Sequence, residues 1–518
     1  MWEQIYYPYE NIWVSALFAA IPILVFILVL TVFKLPGYLS GILATLVALF
    51  VAVVYYDMPV SKALMSALYG VLSGLYPVAT IVIAAIFLYK LTVKTGKFEI
   101  IKESITSITS DKRVQVLLIA YCFGAFLEGA AGFGAPVAIT AIILIGLGFE
   151  PVKAAGLCLV ANIAGGSYGA MGIPVTTPAA LTGLDALEVA SKTSIIIPII
   201  SLVVAFLLVF IVDGFKGIKE TLPSILVCGG TFAIVQFFVL NALGAVLVDI
   251  LSASISLIVL TLFEVLRAKG KRYTSDLKEV TLAWLPFIIL TVMVILFSLD
   301  PIKNLFQAWV IDFPIKGIHQ EIIRTSPVVA TNTPYNAVFA VAFASTTVAI
   351  AIAGLITIGL FKIRLETVKS AFNETMKELT LPIITICAVL AFAYVSNFSG
   401  MSSTLGLAFA DTGKVFPLFS PVLGWIGVFL TGSVVNSGSL FAPLQSITAQ
   451  QIGISQSAMV ASNVMGGDMA KMISPQSVAV AAAAVGLAGR ENELFKFTIK
   501  ISVIFLTIVG ILNLIINL

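Results

Sequence analysis

Apolar runs of about 20 residues recur from residue 12 to the end of the chain, and runs of that length fit membrane-crossing helices. Strands of a membrane barrel would instead alternate apolar and polar side chains over segments of roughly 10 residues. These runs are continuously apolar. Hydrophobic residues make up 60% of the 518 and charged residues only 11%, which also sets aside a large soluble helical protein. The expected fold is an all-α polytopic membrane protein, one integral-membrane domain over 1–518, with about twelve transmembrane helices plus two re-entrant hairpins.

Charge distribution then orients the chain. Lys90, Lys94, Lys97, Lys102, Lys112 and Arg113 gather after the third run, and the positive-inside rule puts them in the cytoplasm. Lys216 with Lys219, the cluster at 267–272, Lys362 with Arg364 and Lys369, and Arg490 fall on the same side when the hairpins are counted as not crossing. Both termini are therefore expected outside, with 300–336 as an ordered outer loop carrying His319, the single histidine. The first run, 12–33, lacks a basic leader and a small-residue cleavage site, and reads as a retained span. Cys122, Cys158, Cys228 and Cys387 lie inside apolar segments as small hydrophobes, giving neither a disulfide framework nor a metal-ligand spacing. A formal charge of +3 gives no reason to expect nucleic acid.

Four places break this pattern. Glu128-Gly-Ala-Ala-Gly-Phe-Gly-Ala-Pro136 splits 114–147 into two pieces too short to cross, and 421–452 is split in the same way. The run 154–189 is interrupted at Gly165-Gly166, Pro174 and Pro178, and 458–487 is its counterpart, expected to break at Gly466-Gly467. Gly124-Ala-Phe-Leu-Glu-Gly129 is echoed by Gly427-Val-Phe-Leu-Thr-Gly432. Ala135-Pro136 is echoed by Ala442-Pro443, and Asn162, Gly165-Gly166, Met171 and Pro174 by Asn463, Gly466-Gly467, Met472 and Pro475 at one spacing. A weaker pair joins Pro77 and Gly96 to Pro382 and Gly400. Opposite lysine content after the matched spans makes these inverted-topology repeats, about 71–212 and 379–518, joined by scaffold spans over about 213–378.

Such repeats place a site near the midplane, built from interrupted helices of both halves. The first tip would contribute Glu128, Gly129, Gly132 and Gly134, and the second Ser433, Asn436, Ser437 and Ser439. The breaks would contribute Asn162, Gly165, Gly166, Ser167, Asn463, Gly466, Gly467, Asp468 and Lys471. Half-helix amino termini with free N–H groups suit a small carboxylate. An acid at membrane depth costs roughly 2.5–3.5 kcal/mol on insertion scales, which singles out Glu128 as a proton carrier. The alternative is a structural acid holding main-chain N–H groups. Asp468, the second coupling candidate, stands three residues from Lys471, a spacing at which the two can pair.

The segments Glu128–Thr140, Gly169-Ala-Met-Gly-Ile-Pro174, Gly217-Ile-Lys-Glu-Thr221 and Lys471-Met-Ile-Ser-Pro-Gln-Ser477 resemble the bacterial L-lactate permease family, and the likeness runs nearly end to end. It implies uptake of lactate, in some members glycolate, with protons across the cytoplasmic membrane, without a cofactor or resident metal. The chain departs from the family pattern at Val434, Gly165 and Asp468. The expected partners are a small monocarboxylate, protons and the lipid bilayer. Sodium coupling to another organic anion, Asp468 supplying a hard-cation ligand, is the alternative within transporters, and a passive anion channel the alternative outside them. No nucleophile–base pair or nucleotide loop points to an enzyme.

Overall fold

A computed structural model describes every residue except 133–134, 268–276, 307–308 and 518. Gly134 and most of the basic cluster after Arg267 therefore lie outside the described residues. In hydrocarbon every backbone N–H and C=O must be paired within the segment, and the apolar runs accordingly form helices. Ten described helices are long and apolar enough to cross a membrane, eleven with one bent pair. That count differs from twelve for physical reasons. Ile197–Ala242 is one run of 46 residues, far longer than a bilayer core at 1.5 Å per residue, and it holds both spans expected there. Its backbone leaves the helical region at Asp213, Gly214 and Thr221. Conversely, 337–361 is not one helix: a strand, Val338–Ala342, precedes a short helix, Thr346–Leu360.

Other expected boundaries also move. The third span extends to Val60–Lys94, and the piece expected at 382–394 is the end of a 35-residue helix, Leu365–Ser399. The described residues of the segment expected as an outer loop carry short strands. Trp2–Glu3 pairs in parallel with Ile322–Arg324, which pairs antiparallel with Thr333–Pro334, while Val310–Pro314 pairs with Val338–Ala342.

The two tips are tight helix–helix turns. The first joins Lys112–Ala130 to Ala135–Gly146, and the second joins Phe416–Thr431 to Val434–Gln451. The arm leading to the first tip is interior: 94% of its apolar window is buried, against 28% for the final helix Glu491–Asn517. It therefore packs in protein rather than facing lipid.

The broken spans are less alike than the sequence echo suggests. In the first, Pro151–Gly166 and Gly169–Thr182 meet at a bend of 50°, and the second piece ends at Thr182, short of 189. Just past the bend, Ala170, Met171 and Gly172 have φ of 48°, 62° and 74°. Two of these three left-handed residues carry a Cβ, a strained arrangement that surrounding packing must hold. The second span runs unbroken through Gly466-Gly467 and interrupts only after Lys471, before Pro475–Ala484. The glycines there serve packing instead. A Cβ on Gly466 would sit 1.9 Å from the Pro421 carbonyl oxygen, and one on Gly424 2.1 Å from that of Asn463. Small residues let these two backbones approach closely, as membrane helix interfaces require.

Candidate functional site

The broken ends converge on a cavity of about 70 Å³. Glu128 and Gly132 reach it from the first tip, and Gly432, Ser433, Val434 and Val435 from the second. Gly166, Gly169, Ala170 and Pro174 line it from the first broken span, and Lys471, Gln476, Ser477 and Val480 from the second.

Two helices begin at its wall. Ser433 caps Val434–Gln451 by accepting from the Asn436 N–H at 3.3 Å, and Ser474 caps Pro475–Ala484 by accepting from Ser477. The earliest N–H groups of a helix have no acceptor within it, and its amino end carries partial positive charge. Lys471 adds a full charge. A small anion fits this wall.

The interior around Lys471 is acidic and buried. Glu128, whose side chain is 1% exposed, accepts from Lys471 Nζ through Oε1 and from Asn162 Nδ2 at 3.0 Å through Oε2. This ion pair joins the first tip to the second broken span. Lys471 thus pairs with Glu128, not with Asp468 as the i,i+3 spacing suggested. Asp468 instead accepts from Ser167 Oγ at 2.7 Å through Oδ2, while its Oδ1 is buried without a partner.

A third acid joins them that the sequence reading passed over. Asp249, on the helix Val248–Arg267, is 1% exposed and neither carboxyl oxygen has a hydrogen-bond partner. A Cβ on Gly165 would lie 3.0 Å from its Oδ2, and one on Gly129 2.6 Å from its Cβ. The signal existed: an acid inside an apolar span, the rule that singled out Glu128.

Glycines make room for these groups. A Cβ on Gly169 would meet Glu128 Oε1 at 2.4 Å, and one on Gly166 would meet Asp468 Oδ1 at 2.0 Å. Gly129, Gly165 and Gly166 therefore let acids approach the backbone, and Gly132, at φ 56°, makes the first turn.

The remaining expected residues stand behind the cavity. Ser437 Oγ donates to the Gly424 carbonyl at 3.0 Å and to Asn463 Oδ1 at 3.2 Å. Asn463 Nδ2 donates to Gln445 Oε1 at 2.8 Å. Ser439 bonds back to the Val435 carbonyl, Gly467 packs against Val428, and Asn436 is buried one turn beyond the second tip. These groups lock the second hairpin onto its neighbour. Gln476 and Ser477 were quoted in a motif but not foreseen as lining; the helix start at Pro475, just after Lys471, was the available sign.

Comparison with known proteins places the chain. The family model of the L-lactate permease matches residues 15–518. An L-lactate permease of Escherichia coli (strain K12) is 48% identical over 99% of this chain and 98% of its own length. A glycolate permease of the same strain is 46% identical over 99% and 97%, and an L-lactate permease of Bacillus subtilis (strain 168) 42% identical over 99% and 98%. The geometry, with a small cavity between interrupted helices of a multi-pass membrane protein, agrees with that match, and the chain belongs to the L-lactate permease family.

Proposed function

We propose that the protein is a secondary transporter that imports L-lactate or a related short 2-hydroxy acid across the cytoplasmic membrane together with protons. The observation that carries this is the Glu128–Lys471 ion pair at the wall of a cavity that two helix amino termini also line. A substrate carboxylate bound there competes with Glu128 for Lys471. The N–H groups at the starts of the two capped helices hold its oxygens, and Gln476 and Ser477 address the 2-hydroxyl. The cavity, of about 70 Å³, has room for a small polar molecule and none for a large one.

Charge counting supports proton coupling. Three buried carboxyl groups, Glu128, Asp249 and Asp468, lie around one lysine, and a substrate anion adds negative charge to a dry interior. A proton entering with the anion offsets that charge. Glu128, freed from Lys471 by the substrate, is the carrier, with Asp468 second.

Alternating access follows from two inverted repeats, about 71–212 and 379–518, moving against scaffold spans over 213–378. Support comes from the matched order of elements. Each block contains a long helix ended by a glycine, a short helix, a hairpin and a broken span. Basic clusters put both termini outside.

The test is uptake of radiolabelled L-lactate, glycolate and a panel of other carboxylates by proteoliposomes under imposed proton or sodium gradients. Uphill accumulation of a short 2-hydroxy acid driven by the proton gradient is expected. Accumulation with sodium alone, downhill flow alone, or no uptake of any short monocarboxylate would each overturn the reading.

A further inference from the structure

A second polar cavity, of about 260 Å³, opens beneath the outer strands. Arg324, the last residue of the strand Ile322–Arg324, enters its lining together with Tyr335, Asn336, Asn397 and Gln450. No carboxylate is among its lining residues. Arg324 stands over the Tyr335 ring at 4.8 Å, its Nε is buried without a hydrogen-bond partner, and among the described residues it has no ion pair. Nearby Lys62, by contrast, is paired with Glu321 at 2.6 Å. An unpaired guanidinium in a cavity free of acids is a poor structural choice and a good anion receptor, since its fork matches a carboxylate.

The two cavities share a seam. The helix Gly169–Thr182 lines the inner cavity at Ala170 and Pro174 and the outer one at Leu181 and Thr182. Its partner Val434–Gln451 lines the inner cavity at Val434 and Val435 and the outer at Pro443 and Ser446. At 1.5 Å per residue the two are separated by about 12 Å of packed helix. The tight point is Gly438, where a Cβ would lie 3.0 Å from the Pro178 ring.

We propose that the outer cavity is a second carboxylate site, in which Arg324 captures the anionic substrate before the Gly438–Pro178 seam opens toward Lys471. This inference rests on the transport reading above and adds a binding step to it. The occupant is a short monocarboxylate, because the cavity offers one cation and neutral amides and no second charge for a dicarboxylate.

Initial rates of radiolabelled L-lactate uptake over a concentration series, in intact cells expressing each variant, test it. Losing a charge-assisted hydrogen bond in a partly solvated site should raise KM about tenfold in Arg324→Gln, with the maximal rate per transporter within twofold of the parent. Arg324→Lys, which keeps the charge, should shift KM less. Asn336→Asp, which leaves Arg324 and its ring contact in place but adds an anion to the cavity, should also raise KM severalfold. An unchanged KM in Arg324→Gln or in Asn336→Asp, beside an active parent, would overturn the outer site alone. So would a fall in maximal rate at constant KM, the mark of a damaged loop. A parent protein that takes up no short monocarboxylate would instead overturn the transport reading itself.

Discussion

The two tips are matched in sequence and opposite in chemistry. The first carries Glu128, whose charge is balanced by a residue from the other half of the chain, Lys471. The second satisfies itself: Thr431 Oγ1 donates to the carbonyls of Gly427 and Ser433 and accepts from the Ser433 N–H, while Ser433 caps the next helix. A tip that depends on a distant partner changes state when that partner is taken by an anion. A self-satisfied tip keeps its shape. On the proposed reading, the first tip therefore reports occupancy, and the second offers a fixed surface to bind.

The largest effect should come from removing the shared cation. Lys471→Gln leaves Glu128 buried and unpaired, a loss of about 3–5 kcal/mol for a broken buried pair, and removes the substrate's counter-charge. Uptake should fall to background and the thermal unfolding temperature in detergent should drop. Wild-type affinity for L-lactate in this variant would end the idea that the two halves meet at this lysine. Next is Gly169→Ala, whose new Cβ would lie 2.4 Å from Glu128 Oε1. It should cut uptake at least tenfold while the protein still reaches the membrane, as surface-normalised rates would show.

Asp249→Asn sharpens the comparison at intermediate size. Asn keeps the shape of the side chain and lowers the count of buried acids from three to two, so substrate exchange should persist and the number of protons moved per substrate, read from reversal potentials, should stay unchanged, with Glu128 still the carrier. A complete loss of exchange would mean that Asp249 shapes the substrate cavity itself. Smallest are changes at the self-satisfied tip. Ser433→Ala removes a helix cap and should cost about 1 kcal/mol, with KM raised a few-fold and coupling intact. Thr431→Val should behave similarly; loss of coupling in either would erase the distinction between the tips.

Sequence showed the elements of this site more readily than their contacts. Continuous apolar runs announce helices because lipid permits little else, and glycine–proline breaks announce where helices stop. Those cues located both turns and the first broken span, and set the second break earlier than its place after Lys471. They did not say which glycines break a helix and which let helices approach. Gly466 and Gly467 remain helical and pack against Pro421 and Val428, whereas Gly169 and Gly172 bracket a true left-handed turn. Nor does spacing along one helix reveal what the facing helix offers. Lys471 had Asp468 one turn away but reaches Glu128 across the interface. Asp249 was visible as an acid in an apolar run. It was passed over because it lies outside the segments that echo one another in sequence, and those echoes directed attention elsewhere.

The central claim is that the first tip moves charge with the substrate. Glu128→Gln, purified beside the parent protein, tests it most directly when two quantities are measured in the same proteoliposomes. One is uphill accumulation of L-lactate under an imposed pH gradient, and the other is one-for-one exchange of L-lactate with no gradient. The account predicts that the variant loses accumulation and keeps exchange, because Gln holds the site's shape, leaves Lys471 for the substrate and cannot carry a proton. Accumulation at the parent's level, or equal loss of both activities in a correctly folded variant, would contradict it.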